Sequence, residues 1–235
     1  MSEGIHPELE RVLRSAAKLQ RVVPDAVLVG GTAAAYHARH RVSFDHDHVL
    51  ADLVERYQAV LEAVEATDGW ATSVRASRPP FTLMGSLGGI EAGLRQLRRS
   101  APLETVRIEL PGGDVVTAPT VEETLRVKAF LVVVRNQVRD YLDVAALADR
   151  IGLEPAATVL RGIDRYYTDR SEDEESVATA VIERLAAPDP RDRRVIDELS
   201  EYKALLPRWQ DWAAVVEVCQ CLADALLDPV ADARG

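Results

Sequence analysis

Apolar positions recur every three to four residues over residues 6–21, where Leu9, Val12, Leu13, Ala16 and Leu19 share one face. That spacing predicts an amphipathic helix. Pro24-Asp25 marks a turn. The run Ala26-Val27-Leu28-Val29 then reads as a short buried strand that stops at Gly30-Gly31. A helix follows over about residues 33–40. Residues 43–48 have the period of a strand, so Asp45 and Asp47 point to one side while Phe44 and His46 point to the other. Residues 50–66 return to helical spacing, with Leu53, Tyr57, Val60, Leu61 and Val64 as the buried stripe, and Asp68-Gly69 ends that helix.

Between residues 70 and 118 the chain changes character. Strand candidates at 71–76, 81–84, 89–97, 104–110 and 115–118 are separated by Pro79-Pro80 and by Pro111-Gly112-Gly113-Asp114. They are expected to complete a small mixed sheet begun by the first two strands. Thr120-Val121-Glu122-Glu123 has the form of a capping box. It opens a helix expected to run to residue 149, since no Pro or Gly interrupts it. The remainder reads as helices over 154–167, 174–187, 191–206 and 209–227, with a charged linker at 170–175 and a disordered tail at 230–235. Trp209, Trp212, Val216 and Cys219 recur at core spacing. The pattern predicts an α+β protein: a small mixed sheet flanked by helices over 1–119, then a helical bundle over 120–235.

At 235 residues the chain is long enough for a sizeable core. With 47% hydrophobic and 28% charged residues it has the composition of a folded globular protein. No apolar run approaches 18 residues, so no transmembrane helix and no membrane partner are expected, and the charged N-terminus does not read as a signal peptide. Cys219 and Cys221 would lie about 200° apart on a helix and could not bridge. This points to a reduced, cytoplasmic protein. The formal net charge of −10 argues against broad nucleic-acid binding. Residues 75–107 run against that trend, with six arginines to two glutamates. A basic acceptor-binding patch and a solvated surface are both open readings of that stretch.

The chemistry gathers over residues 27–49. Two glycines at a strand end let the backbone turn sharply and bring its N–H groups close to a ligand. Thr32 adds a hydroxyl there. Paired carboxylates repel unless a cation lies between them, and oxygen donors suit Mg²⁺, with Mn²⁺ as an alternative. A phosphate turn beside a carboxylate pair is what phosphoryl or nucleotidyl transfer needs. His46 and His48 flank the aspartates, which leaves a softer metal open if the strand is irregular. Downstream, on one continuous helix, Arg135 would lie about −20°, Arg139 about +20° and Asp143 about +60° from Lys128, and Asp140 about 120° away. That makes one polar stripe, to be matched by a polyanion or by an internal ion-pair ladder.

Gly30-Gly31-Thr32, His37, Arg41, Ser43, Asp45 and Asp47, followed by Lys128, Arg135, Arg139-Asp140 and Asp143, resemble the nucleotidyltransferase fold. More narrowly, they are similar to the AbiEii/AbiGii group of toxin-type nucleotidyltransferases, which includes the MenT-type toxins. The wider fold has Gly-Ser where this chain has Gly-Gly-Thr, and Val144 stands where Leu is common. The resemblance covers about residues 26–148.

It implies a metal-dependent transfer of a nucleoside monophosphate from an NTP to an acceptor such as a tRNA 3′ end, by a toxin held off by an antitoxin. Gly30, Gly31 and Thr32, with Arg135 and Arg139, would bind the nucleotide. Asp45 and Asp47 would hold the metal. Lys128 would neutralise the leaving phosphates and Asp143 would orient Lys128 or assist the acceptor proton, with the helical half contributing both to the cleft. Members of the fold often add a third carboxylate from a later strand, for which Glu109 is the first candidate and Glu91 the second. Two other readings remain: a nucleotide- or protein-binding module without turnover, and transfer to a small molecule or protein.

Overall fold

The computed structural model describes residues 5–168, 176–202 and 204–228. The linker expected at 170–175, the start of the helix expected at 174 and the tail at 230–235 lie partly or wholly outside the described residues. The chain divides into two compact units, residues 1–120 and 121–235.

The first unit opens with α1 (Pro7–Val22), started by Pro7 at its first turn and by a His6 ring nitrogen that accepts from the Glu8 N–H. β1 (Val27–Val29) runs directly into α2 (Gly30–Ala38). The glycines therefore form the first turn of the helix rather than a loop ahead of it, and the helix starts earlier than its apolar pattern suggests. Gly30 has φ +76°, a left-handed value that glycine reaches without strain. β2 (Asp45–Leu50) and α3 (Leu53–Glu65) follow, then β3 (Trp70–Thr72), β4 (Thr82–Leu87) and β5 (Ile90–Gln96).

These five strands form one mixed sheet in the order β1-β2-β5-β4-β3. Only the central β2–β5 pair is parallel, matching Asp45 to Glu91, Asp47 to Gly93 and Val49 to Arg95. One face is apolar. Leu50, Ala92 and Leu94 pack there with Leu19 of α1, Val23 just after it, and Leu53, Val60 and Val64 of α3. The opposite face of β2 carries both aspartates, each partly exposed.

The last two strands correct an expectation. β6 (Thr105–Glu109) and β7 (Val115–Pro119) pair with each other in a separate two-stranded ribbon and do not extend the sheet. The reason lies in α1. The buried amide of Gln20 donates to the Thr117 carbonyl at 2.8 Å and accepts from the Thr117 N–H at 2.7 Å, so a side chain serves β7 where a strand would have. Ile108, Leu110, Val116 and Ala118 then close a second core with Leu9, Leu13 and Leu28.

The second unit is helical: α4 (Val121–Arg135), α5 (Val138–Ile151), α6 (Leu153–Arg161), α7 (Val177–Ala186), the one-turn α8 (Arg194–Asp197) and α9 (Trp212–Leu227). The single helix expected over 120–149 is two helices, broken at Asn136. That residue is left-handed at φ 52°, which Asn tolerates better than most side chains. Its buried amide donates to the Asp189 carbonyl at 2.8 Å and accepts from the Tyr141 hydroxyl at 2.6 Å. The Asp192 carboxylate then takes the Val138 N–H at 2.8 Å and starts α5. The helix expected over 191–206 is largely replaced by α8 and 3₁₀ turns, and residues 163–166 are likewise a 3₁₀ turn rather than the end of a helix. On α9, Cys219 is buried and Cys221 exposed, both as free thiols.

Candidate active site

In the first unit, the β1–α2 junction and the aspartates of β2 meet. β1 is antiparallel to β2, with Val29 opposite Asp47. The glycines that follow Val29 therefore emerge beside the aspartates. A side-chain carbon built on Gly30 would lie 3.6 Å from both the β-carbon and an Oδ atom of Asp47. A carbon built on Gly31 would fall 2.7 Å from the Arg41 guanidinium and 3.1 Å from the Ser43 hydroxyl. Gly31 is thus closely approached, whereas Gly30 makes only ordinary contact and is called for by its positive φ. As the first turn of a helix, they present N–H groups that have no partner within the helix, at its electropositive end.

The two aspartates are held differently. Asp45 Oδ1 accepts from the Ser43 hydroxyl at 3.0 Å, and the buried Thr32 hydroxyl donates to the Asp45 carbonyl. The Thr32 side chain thus ties helix to strand. Asp47 Oδ1 accepts from Arg95 Nε at 3.1 Å. This contact exists because Gly93, between Asp47 and Met84 in the sheet, has no side chain: a β-carbon there would fall 2.4 Å from Asp47 Oδ1. Sequence reasoning missed both Gly93 and Arg95. The signal was present, since a glycine inside an otherwise regular strand marks a close approach.

His46 and His48 face the opposite, buried side, as alternation requires. His46 bonds the Ser15 hydroxyl at 3.0 Å, and its ring meets His48 edge-on with centroids 5.2 Å apart. Burial lowers the His46 pKa to about 4, against the opposing pull of Asp47 and Asp45. Burial also holds His48 well below its usual value. Both are neutral rings behind the sheet, not companions of the carboxylates. His37 bonds the Pro119 carbonyl at 2.8 Å.

Of the two candidate third carboxylates, Glu109 lies outside the aspartates' sheet and Glu91 stands beside Asp45 within it. Glu109 is exposed on the separate ribbon, because β6 never enters the sheet. Glu91 is opposite Asp45 in register but is exposed, and among the described residues no three His, Cys, Asp or Glu side chains gather closely enough to hold a metal.

In the second unit, Lys128 is buried and salt-bridged to Asp143 at 2.6 Å and to Asp140 at 3.5 Å. Both carboxylates are fully buried. Asp140, about 120° from Lys128 on one continuous helix and so its less favoured partner, pairs with it because the helix is not continuous. With the break at Asn136, Asp140 and Asp143 lie three apart on α5 and turn to Lys128 together. Burial raises the Asp140 pKa, partly offset by Lys128. The expected stripe also divides, since Arg135 and Arg139 are exposed while Lys128 is not.

A small mixed sheet flanked by helices, with a glycine turn at a helix start beside a carboxylate pair, defines the nucleotidyltransferase fold. The solved structures agree. The chain superposes on MenT4, a nucleotidyltransferase toxin of Mycobacterium tuberculosis H37Rv, with a TM-score of 0.58 and 19% identity, over 95% of this chain and 84% of that one. A protein from H. pylori assigned to the nucleotidyltransferases matches with a TM-score of 0.52 and 17% identity, over 93% and 92% of the two chains. No protein-family model matches.

Among curated proteins the chain is 32% identical over 231 residues to the heme uptake protein MmpL11 of Mycobacterium tuberculosis, covering 94% of this chain and 23% of that one. It is 36% identical over 132 residues to the mycolic acid-containing lipids exporter MmpL11 of Mycolicibacterium smegmatis, covering 56% and 13%. The chain thus spans at most about a quarter of the length of these relatives. No helix among its own described residues is long and apolar enough to cross a membrane.

Proposed function

We propose that the chain is a nucleotidyltransferase, transferring NMP from an NTP to an acceptor hydroxyl. One observation carries the reading: the Gly30–Gly31 helix start lies against Asp47, so an anion-binding turn and a carboxylate pair share one locus. Neither feature alone separates a nucleotidyltransferase from an ordinary α/β core. In this reading the Gly30, Gly31 and Thr32 N–H groups take phosphate oxygens. The acceptor oxygen forms a bond to the α-phosphorus, the α–β bridging P–O bond breaks, and pyrophosphate departs as the acceptor loses its proton.

The donor set fits a hard divalent cation. Asp45 and Asp47 offer partly exposed oxygens on one face of β2, and the histidines face away. Mg²⁺ commonly takes one or two carboxylates and completes its shell with water and substrate phosphate. Bound there, Mg²⁺ or Mn²⁺ would supply charge neutralisation and acidify the acceptor hydroxyl. The residue resemblance supports the AbiEii/AbiGii-like role: a toxin with a tRNA 3′ end as acceptor and an antitoxin as partner. It also supports a phosphate-neutralising role for Lys128, positioned by Asp143, and nucleotide contacts from Arg135 and Arg139.

The ion pair between Arg95 and Asp47 favours a second reading, a nucleotide-binding module that has lost turnover. Incubation with Mg²⁺, each α-labelled NTP and total tRNA separates the two. Labelled RNA, absent with Asp45→Ala/Asp47→Ala, supports transfer. Mg²⁺-dependent nucleotide binding in calorimetry without label in RNA, protein or small-molecule fractions supports the module. No nucleotide binding overturns both.

A further inference from the structure

Arg95 stands two residues beyond Gly93 on β5, on the same face as Asp47. The missing side chain at Gly93 leaves a gap along the strand. Asp47 Oδ1 and the Met84 side chain lie over that gap, and the Arg95 guanidinium meets both, with Nε 3.1 Å from Asp47 Oδ1 and Nη2 3.5 Å from the Met84 sulfur. A thioether is a weak acceptor. Asp47 is therefore the one strong anchor among the contacts of this guanidinium within the described residues. Both side chains are partly exposed, at 41% for Arg95 and 29% for Asp47, so the guanidinium can leave for solvent at small cost.

We propose that Arg95 is the resting counter-ion of Asp47, holding the place of the cation's charge and opposing metal loading until a cation displaces it. The inference rests on the reading of Asp45 and Asp47 as metal ligands. The guanidinium occupies Oδ1 of Asp47, and a divalent ion arriving at either oxygen of that carboxylate is repelled by the positive charge already beside it. Arg95 also offsets part of the charge of Asp47 while no metal is bound. Once displaced, the guanidinium is a free cation beside the carboxylate face, able to meet an anion that arrives with the metal.

The opposite role is physically distinct. An arginine that merely orients Asp47 would strengthen metal binding, and its removal would weaken it. The sign of the change in affinity therefore decides between the two.

The experiment measures Mn²⁺ binding to the full chain by electron paramagnetic resonance, without nucleotide. Wild type is compared with Arg95→Ala, Arg95→Gln and Asp45→Asn/Asp47→Asn. Circular dichroism checks the fold of each, and Arg95→Gln carries the test if Arg95→Ala does not fold. Removing a partly exposed competing charge is expected to tighten Mn²⁺ on the order of tenfold. The double Asn variant is expected to lose it. Unchanged or weaker binding in both Arg95 variants overturns the proposal while leaving the metal reading intact. Mn²⁺ bound equally by the double Asn variant, or by no variant at all, overturns both.

Discussion

The carboxylate of Asp47 lies directly over Gly93, where a single added carbon would come within 2.4 Å of Oδ1. Asp47 Oδ1 and the Met84 sulfur, 2.9 Å from the same added carbon, are the groups that would have to shift. Gly93→Ala is therefore expected to push Asp47 off its position. Overpacking of this kind costs about 1–3 kcal/mol. Transfer activity should fall at least on the order of tenfold, since small displacements of a reacting geometry are expensive. A transfer assay and a thermal melt on the same preparation check this. Wild-type activity in Gly93→Ala would show that the position of Asp47 is not critical.

Lys128 pairs with two fully buried carboxylates, so its loss removes a cation from both. Lys128→Met is expected to cost about 3–5 kcal/mol, the range for breaking a buried ion pair from one side. Adding Asp140→Asn and Asp143→Asn should restore part of that stability. Burial already raises the Asp140 pKa, so the folded state holds this proton more tightly than the unfolded chain. Stability contributed there falls as pH rises above the ordinary carboxylate range, and Lys128→Met should steepen the fall. Urea denaturation between pH 5 and 8 measures both effects.

His46 gives a pH dependence of opposite sign. Its folded pKa is lowered to about 4 from the ordinary value of 6.5, chiefly by burial. Between those values the unfolded chain binds the proton and the folded protein does not. Stability is thus fully present above about pH 6.5 and is lost as pH falls toward 4, by about 3 kcal/mol in all. His46→Gln keeps a hydrogen-bonding group for Ser15 but does not titrate. The difference between wild-type and His46→Gln stability should shift in favour of the variant as pH drops from 7 to 4. Parallel curves would contradict the burial argument.

Much of the fold can be read from residue pattern. The strand, glycine turn, helix and aspartate strand over residues 27–49 stand out because turn chemistry and alternation act locally. The features that escaped depend on tertiary partners. Nothing in 104–118 announces that Gln20, far back on α1, will occupy the edge of β7, so Glu109 looked like a sheet residue. Asn136 breaks a good helical pattern because Asp189 and Tyr141 satisfy its amide in a left-handed conformation. That break turns Asp140 toward Lys128. Gly93 and Arg95 carried a readable signal, a strand-interior glycine, but which strand lies beside β2 is a matter of topology.

The most direct test of the central claim follows both ends of the nucleotide. Wild-type protein and Asp45→Asn/Asp47→Asn are incubated with Mg²⁺ and total RNA, using NTP labelled at the α-phosphate in one reaction and at the γ-phosphate in another. Nucleotidyl transfer predicts α-label in the acceptor and γ-label released as pyrophosphate, both lost in the variant. Retention of γ-label in an acceptor would contradict it and indicate phosphoryl transfer instead, while no movement of either label would leave the fold without this chemistry.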